Sequence, residues 1–205
     1  MLALAPPAGA RIIYTPAHKV IPHGFPYPLN LTHHGANQFS LSIGSYRTCC
    51  DGRVILSGMR AIAGANYQNG SAQVLGAQSY ASALKAGAKI GSQGPFSNRA
   101  TDMGVVGWYS WYGFFFRGHW ANSGKGVKDR YLGVRFIIEG KIHYGWARLR
   151  FDVSTGNQPW VNATLNGYAY QTIPNKPIKA GQTHGRDEAT LGRLAQGASS
   201  VSRQK

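Results

Sequence analysis

The side chains in this chain best placed to do chemistry are rings and cations. The stretch Trp108-Tyr109-Ser110-Trp111-Tyr112-Gly113-Phe114-Phe115-Phe116-Arg117-Gly118-His119-Trp120 concentrates aromatics in one place. Read as an extended strand, it puts Trp108, Ser110, Tyr112, Phe114 and Phe116 on one face. Tyr109, Trp111, Gly113, Phe115 and Arg117 then fall on the other. Rings on both faces suit a strand buried on both sides, the commoner use of aromatics, or a strand with one face turned to a flat ligand. In the second case Tyr109, Trp111 and Trp120 are the candidates to stack on sugar rings. The cations that would accompany them are the tight group Lys125, Lys128 and Arg130, and Arg148 with Arg150 on a later strand.

Lys and Arg number 22 and Asp and Glu 7, for a formal net charge of +15. Such an excess suits an anionic partner, an acidic polysaccharide or another cell-surface component. It arises from a scarcity of acids, and that scarcity excludes more than it suggests. Asp51, Asp102, Asp129, Glu139, Asp152, Asp187 and Glu188 are too few for a multi-carboxylate metal centre. Paired-carboxylate glycoside hydrolysis would need Asp102 with Asp129, or Glu139 with Asp152, and no spacing supports either pair. No Gly-x-Ser-x-Gly elbow, His-Glu-x-x-His or Walker loop occurs. His33 and His34 would point to opposite faces of a strand, and the other histidines have no ligand spacing. The adjacent Cys49 and Cys50 rule out a disulfide framework. No cofactor or metal is expected. Nucleic acid is not an expected partner, because no recognition motif accompanies the scattered cations.

The elements that must carry these residues read as strands. Arg11–Thr15 is a short strand ended by Pro16, and Pro22, Pro26 and Pro28 keep the following segment extended or at a sheet edge. Gln38–Ile43 alternates polar and apolar residues. Val54–Leu56 and Arg60–Ala63 are two shorter strands, and Tyr80–Leu84 reads as one helical turn closed by Gly87. Trp108–Phe116 is a single strand. Tyr131–Ile138 and Ile142–Phe151, the second alternating between core and solvent, form a hairpin turned at Gly140, and Ala163–Thr172 is a last strand. The expected fold is all-β: an antiparallel sandwich or barrel-like domain, of jelly-roll type among the options, over residues 11–182. Residues 1–10 read as a residual leader or signal-peptide remnant ending in Ala8-Gly9-Ala10, and 183–205 as a flexible or helical basic tail. No run approaches the ~18 apolar residues of a membrane-spanning helix.

Tyr131-Leu-Gly-Val-Arg-Phe, Gly140-Lys-Ile-His-Tyr-Gly-Trp-Ala-Arg-Leu and Leu165-Asn-Gly-Tyr-Ala-Tyr-Gln-Thr-Ile-Pro, with Ile178-Lys-Ala-Gly after them, resemble the core of a family of secreted bacterial proteins associated with PEP-CTERM sorting. The resemblance implies export, and it implies little about activity. Related proteins place an Asp-x-Asn-x-Asp-Gly-x-x-Asp-Phe calcium loop before an early strand. Here the corresponding Asn30-Leu31-Thr32-His33-His34-Gly35-Ala36-Asn37-Gln38-Phe39 keeps the glycine and phenylalanine and has no carboxylate. Asn30, Thr32, His34 and Gln38 cannot supply the anionic oxygens calcium needs, so the stretch reads as a turn that kept its shape and lost its ion. Asp187–Gly197 resembles an eroded sorting tail, interrupted by Arg193 and Gln196.

These readings converge on an exported, non-enzymatic β-domain acting in binding or structure at the cell surface, with an acidic glycan as ligand. The alternatives are a self-assembling filament or surface-layer subunit, through edge-to-edge strand pairing, and a hydrolase with an unrecognised site.

Overall fold

A computed structural model describes residues 11–48, 54–63, 72–77, 80–97, 101–156 and 158–185. Residues 1–10, read above as a leader, both cysteines and nearly all of the stretch read as a tail lie outside the described residues. Fourteen strands are present among those described. In chain order they are β1 (Ile12–Val20), β2 (Tyr27–Leu29), β3 (Phe39–Thr48), β4 (Val54–Ala63), β5 (Ala72–Ala77), β6 (Tyr80–Ala81) and β7 (Lys89–Ile90). Then come β8 (Phe96–Ser97), β9 (Thr101–Tyr109), β10 (Gly113–Arg117), β11 (Val127–Ile138), β12 (Lys141–Ser154), β13 (Trp160–Gln171) and β14 (Ile178–Lys179).

Twelve strands form one curled sheet in the order β1-β13-β12-β11-β5-β6-β9-β4-β3-β2, with β10 on β9 and β8 on β5. The sheet closes into a half-barrel, the sandwich-like or barrel-like all-β domain expected from the turn-punctuated strands. Among the described residues every pairing of two strands is antiparallel except the contact of β6 with β9, and the isolated bridge from His23 to Ile43 of β3 is parallel as well. The two arms of the curl face each other across the main core. Leu41, Ile43, Met59, Met103 and Val106 come from one arm, and Leu132, Phe136, Leu149, Phe151 and Leu165 from the other. A second core of Tyr131, Tyr144, Trp146, Ala169, Ile90 and Ile178 lies on the opposite side of β11–β13, covered by the small β7–β14 ribbon.

That second core explains a difference from the sequence reading. β12 was expected to alternate between core and solvent, yet His143 to Ala147 are buried without a break. The chain after β13 folds back, the Trp146 indole N–H donates to the Gln182 carbonyl at 3.2 Å, and the strand gains cover on both faces. The residues that carry the family resemblance are therefore mostly packing residues. His143 is 5 % exposed and its Nδ1 is 2.9 Å from the Gln171 carbonyl.

Other local expectations change as well. Pro16 does not end β1: the strand continues past a register break between Pro16 and Lys19, a bulge that absorbs the missing N–H. The two short strands around Ser57 are one strand, β4. Tyr80–Leu84 is not helical; β6 and a bridge from Leu84 to Tyr131 replace the turn, because both Leu84 backbone groups bond Tyr131 at 3.0 Å. The β11–β12 hairpin is as expected, with Glu139 at φ 49° and Gly140 at φ 75° forming its two-residue turn.

Candidate functional site

The aromatic stretch is a hairpin instead of one strand. β9 ends at Tyr109, Ser110, Trp111 and Tyr112 turn, and Gly113 at φ 77° starts β10 back along it. A three-residue turn preserves the odd-even parity of the side chains. Tyr109, Phe115 and Arg117 consequently share a face, as alternation implies, while Trp111 leaves it. Phe115 sits opposite Gly107, which offers no side chain, and its ring stacks on the diagonal neighbour Tyr109 with centroids 4.8 Å apart. The Arg117 guanidinium carbon lies 5.4 Å from the Phe115 centroid.

This face continues across β9, β4 and β3 on the outside of the curl. Val105 pairs with Gly58, and Gly58 with Gly44. Two glycines on neighbouring strands make the floor: it is open at Gly44, where a built Cβ would meet nothing within 4 Å, while the Val105 side chain leans over Gly58, 3.0 Å from where a Cβ would be. The result is a groove of about 450 Å³, in the size range of small-ligand sites. Tyr109, Phe115 and Arg117 form one wall, Ser42 and Ser45 line the β3 side, and Tyr80 is at one end. Arg60 and Asp102 lie across from each other on β4 and β9 and form an ion pair, Nε to Oδ1 2.8 Å, which fixes both side chains at the groove.

The sequence-derived candidates do not converge on this groove. Tyr109 lines it. Trp111 is 74 % exposed on the hairpin turn and is not among the lining residues. Trp120 corrects an expectation: it has no exposed surface and packs in the main core, so nothing outside the fold can stack on it. Its backbone N–H donates to the Met103 carbonyl at 3.3 Å, which tucks the ring under β9 after Gly118 turns at φ 79°.

The basic candidates lie elsewhere and divide. Arg150 grips both oxygens of Asp152, at 2.9 and 2.8 Å, and Arg148 approaches Asp129 at 3.9 Å. Exposed pairs of this kind add little stability, but they offset the charge a ligand would meet. Lys128 lines a cleft with Arg150, whereas Arg130 lines a different one with Lys85 and His119. Lys125 caps the 3-10 turn Asn122–Gly124 and is exposed. The Lys128 cleft also brings together Asp129 and Asp152, a carboxylate pair that spacing did not single out. Both are solvent-exposed and arginine-paired, the opposite of the apolar setting that keeps a general acid protonated.

The loop Asn30–Gln38 is held by its own side chains. The Asn30 Oδ1 accepts from the Thr32 N–H at 3.1 Å and hydroxyl at 2.9 Å. The Asn30 amide donates to the His34 and Gly35 carbonyls, and the Gln38 amide donates to the Ala36 carbonyl at 2.9 Å. Oxygens that a cation would gather are thus gathered by two NH₂ groups. Among the described residues no group of three His, Cys, Asp or Glu is arranged to hold a metal.

Sequence reasoning missed Arg60, Asp102, Phe115, Arg117 and Tyr80 as one site. The legible signals were Gly44 and Gly58 inside strand patterns, since a lone strand glycine marks a place where something approaches the backbone. No protein-family model, curated protein or solved structure matches this chain.

Proposed function

We propose that this protein is an exported, non-enzymatic binding domain that holds an acidic glycan at the cell surface in the groove on β3, β4, β9 and β10. The observation that carries the reading is the Tyr109–Phe115 stacked pair beside Arg117, above a floor of Gly44 and Gly58. A sugar ring has one apolar face, which lies flat on such a wall, and a carboxylate on that ring meets the Arg117 guanidinium. Ser42, Ser45 and Asp102 are in place to pair with ring hydroxyls. No chemistry is asked of the site beyond recognition. The export part of the proposal is supported by the Ala8-Gly9-Ala10 pattern and the family resemblance.

Binding to an array of uronic-acid and neutral oligosaccharides tests the proposal. Uronic-acid ligands should bind in a salt-sensitive way, Phe115→Ala should weaken all of them, and Arg117→Gln should weaken only the acidic ones. Equal binding by both variants removes the groove from the account.

Edge-to-edge assembly has less support. β1 carries Pro16, a bulge and the exposed Lys19, and β2 is three residues long with Pro28 in it. Such features block strand addition at open edges. Light scattering of the purified protein tests this directly, and growth into large particles would favour the filament reading.

A further inference from the structure

The groove has a basic neighbour. Beside it is a second cavity of about 330 Å³, lined by Lys85, His119, Arg130, Ser82 and Asn122 with no acid among its lining residues. None of these three basic groups is in an ion pair among the described residues. The two cavities share two adjoining chain segments. Tyr80 and Arg117 line the groove, and Ser82 and His119, each two residues further on, line the basic cavity. The segments touch at Gly118, where an added Cβ would sit 2.9 Å from the Tyr80 ring and would also collide with the Met103 carbonyl. The Tyr80 ring and the Met103 carbonyl fill the space beside Gly118, so only a glycine lets the two segments pack this closely and brings the two cavities side by side. The cation of the groove, Arg117, and the cations of the second cavity are thus carried on the same stretch of surface, as successive charges on a polymer require.

Resting on the groove as the glycan site, we infer that Lys85, His119 and Arg130 form a second anion subsite adjoining it. The ligand is then an acidic polysaccharide with charges on successive residues, not an isolated acidic sugar. One ring stacks on Tyr109 and Phe115 with its carboxylate at Arg117, and the next anionic group falls to Lys85 and Arg130. Asn122 holds the loop that frames this subsite by donating to the Gly126 carbonyl at 2.9 Å.

The test is isothermal titration of the full chain with hexagalacturonate, galacturonate monomer, the fully methyl-esterified hexamer and a single-stranded oligothymidylate. The hexamer should bind at least about tenfold more tightly than the monomer or the ester, and Lys85→Gln/Arg130→Gln should cost about tenfold for the hexamer and little for the monomer. Arms with sulfated and phosphorylated oligosaccharides distinguish the kind of anion within the same polymer class. If Phe115→Ala weakens the hexamer and the Lys85/Arg130 variant does not, the groove stands and the subsite is overturned. Loss of the hexamer's advantage over the monomer overturns it equally. If no oligosaccharide binds, the groove reading itself fails. If oligothymidylate binds as tightly as the hexamer, the assignment to a polysaccharide is wrong.

Discussion

The loop Asn30–Gln38 offers a quantitative check on the claim that two side-chain amides organise its oxygens as a bound cation would. Oxygen-bearing positions 30, 32, 34, 36 and 38 have the alternate spacing of a calcium loop, and the Asn30 and Gln38 amides hydrogen-bond to four of its oxygens. Asn30→Asp/Gln38→Glu keeps the shape of both side chains and removes four donor contacts. The two shorter ones, 3.2 and 2.9 Å, are each worth about 1 kcal/mol and the two longer ones less, so the variant should lose about 2–3 kcal/mol. For a domain of this size that is a fall in Tm of about 5–10 °C. The same substitutions create two anionic ligands beside the Thr32 hydroxyl and the loop carbonyls, so calcium should now bind, and calcium at ten times its Kd returns about 1.4 kcal/mol. Thermal unfolding in chelator and in millimolar calcium measures both effects. The parent should be indifferent to calcium. A variant as stable as the parent in chelator would refute the claim that the amides do the work of a cation.

Three further outcomes follow from packing and burial. Gly145→Ala forces a methyl to within 2.7 Å of the Ala169 carbonyl and 2.8 Å of Leu31, and should cost about 2 kcal/mol in denaturant melts. Gly44→Ala, facing open space, should be neutral or slightly stabilising in the same assay. Burial pushes the Tyr170 phenol above the ordinary tyrosine range, and burial does the same to Tyr168 against the opposing hydrogen bond from Thr15. A raised folded pKa means that the stability tied to the protonated phenol is intact below the unfolded value of about 10 and is lost as pH rises through the folded one. Tyr170→Phe should therefore flatten the decline in unfolding free energy as pH rises above the unfolded value of about 10, and an unchanged slope would mean that burial does not act on this group.

Much of the fold was legible because its signals are local. Glu139-Gly140 between two apolar runs demands a tight hairpin, and the alternation from Gln38 to Ile43 appears in β3 as alternating buried and half-buried side chains. What was illegible depends on residues distant in the chain. No local pattern says that residues after β13 return to cover Trp146, so β12 read as half-exposed. The site was half legible for the same reason. Parity along the aromatic run put Tyr109, Phe115 and Arg117 together, even though the turn at Ser110–Tyr112 was not anticipated. Arg60, Asp102 and Tyr80 join them only through the pairing of β9 with β4 and β6, which lies outside any sequence window. Trp120 misled because composition does not distinguish a ring on the sheet from a ring beneath it.

The central claim is that ligand occupies the glycine-floored groove, and Gly44→Phe tests it most directly. The position has an ordinary strand conformation and open space above it, so a phenylalanine there should preserve the melting temperature while filling the floor. Titration of parent and variant with hexagalacturonate should show binding in the parent and its loss, by about tenfold or more, in the variant. Undiminished affinity in a Gly44→Phe protein that is as stable as the parent would contradict the account.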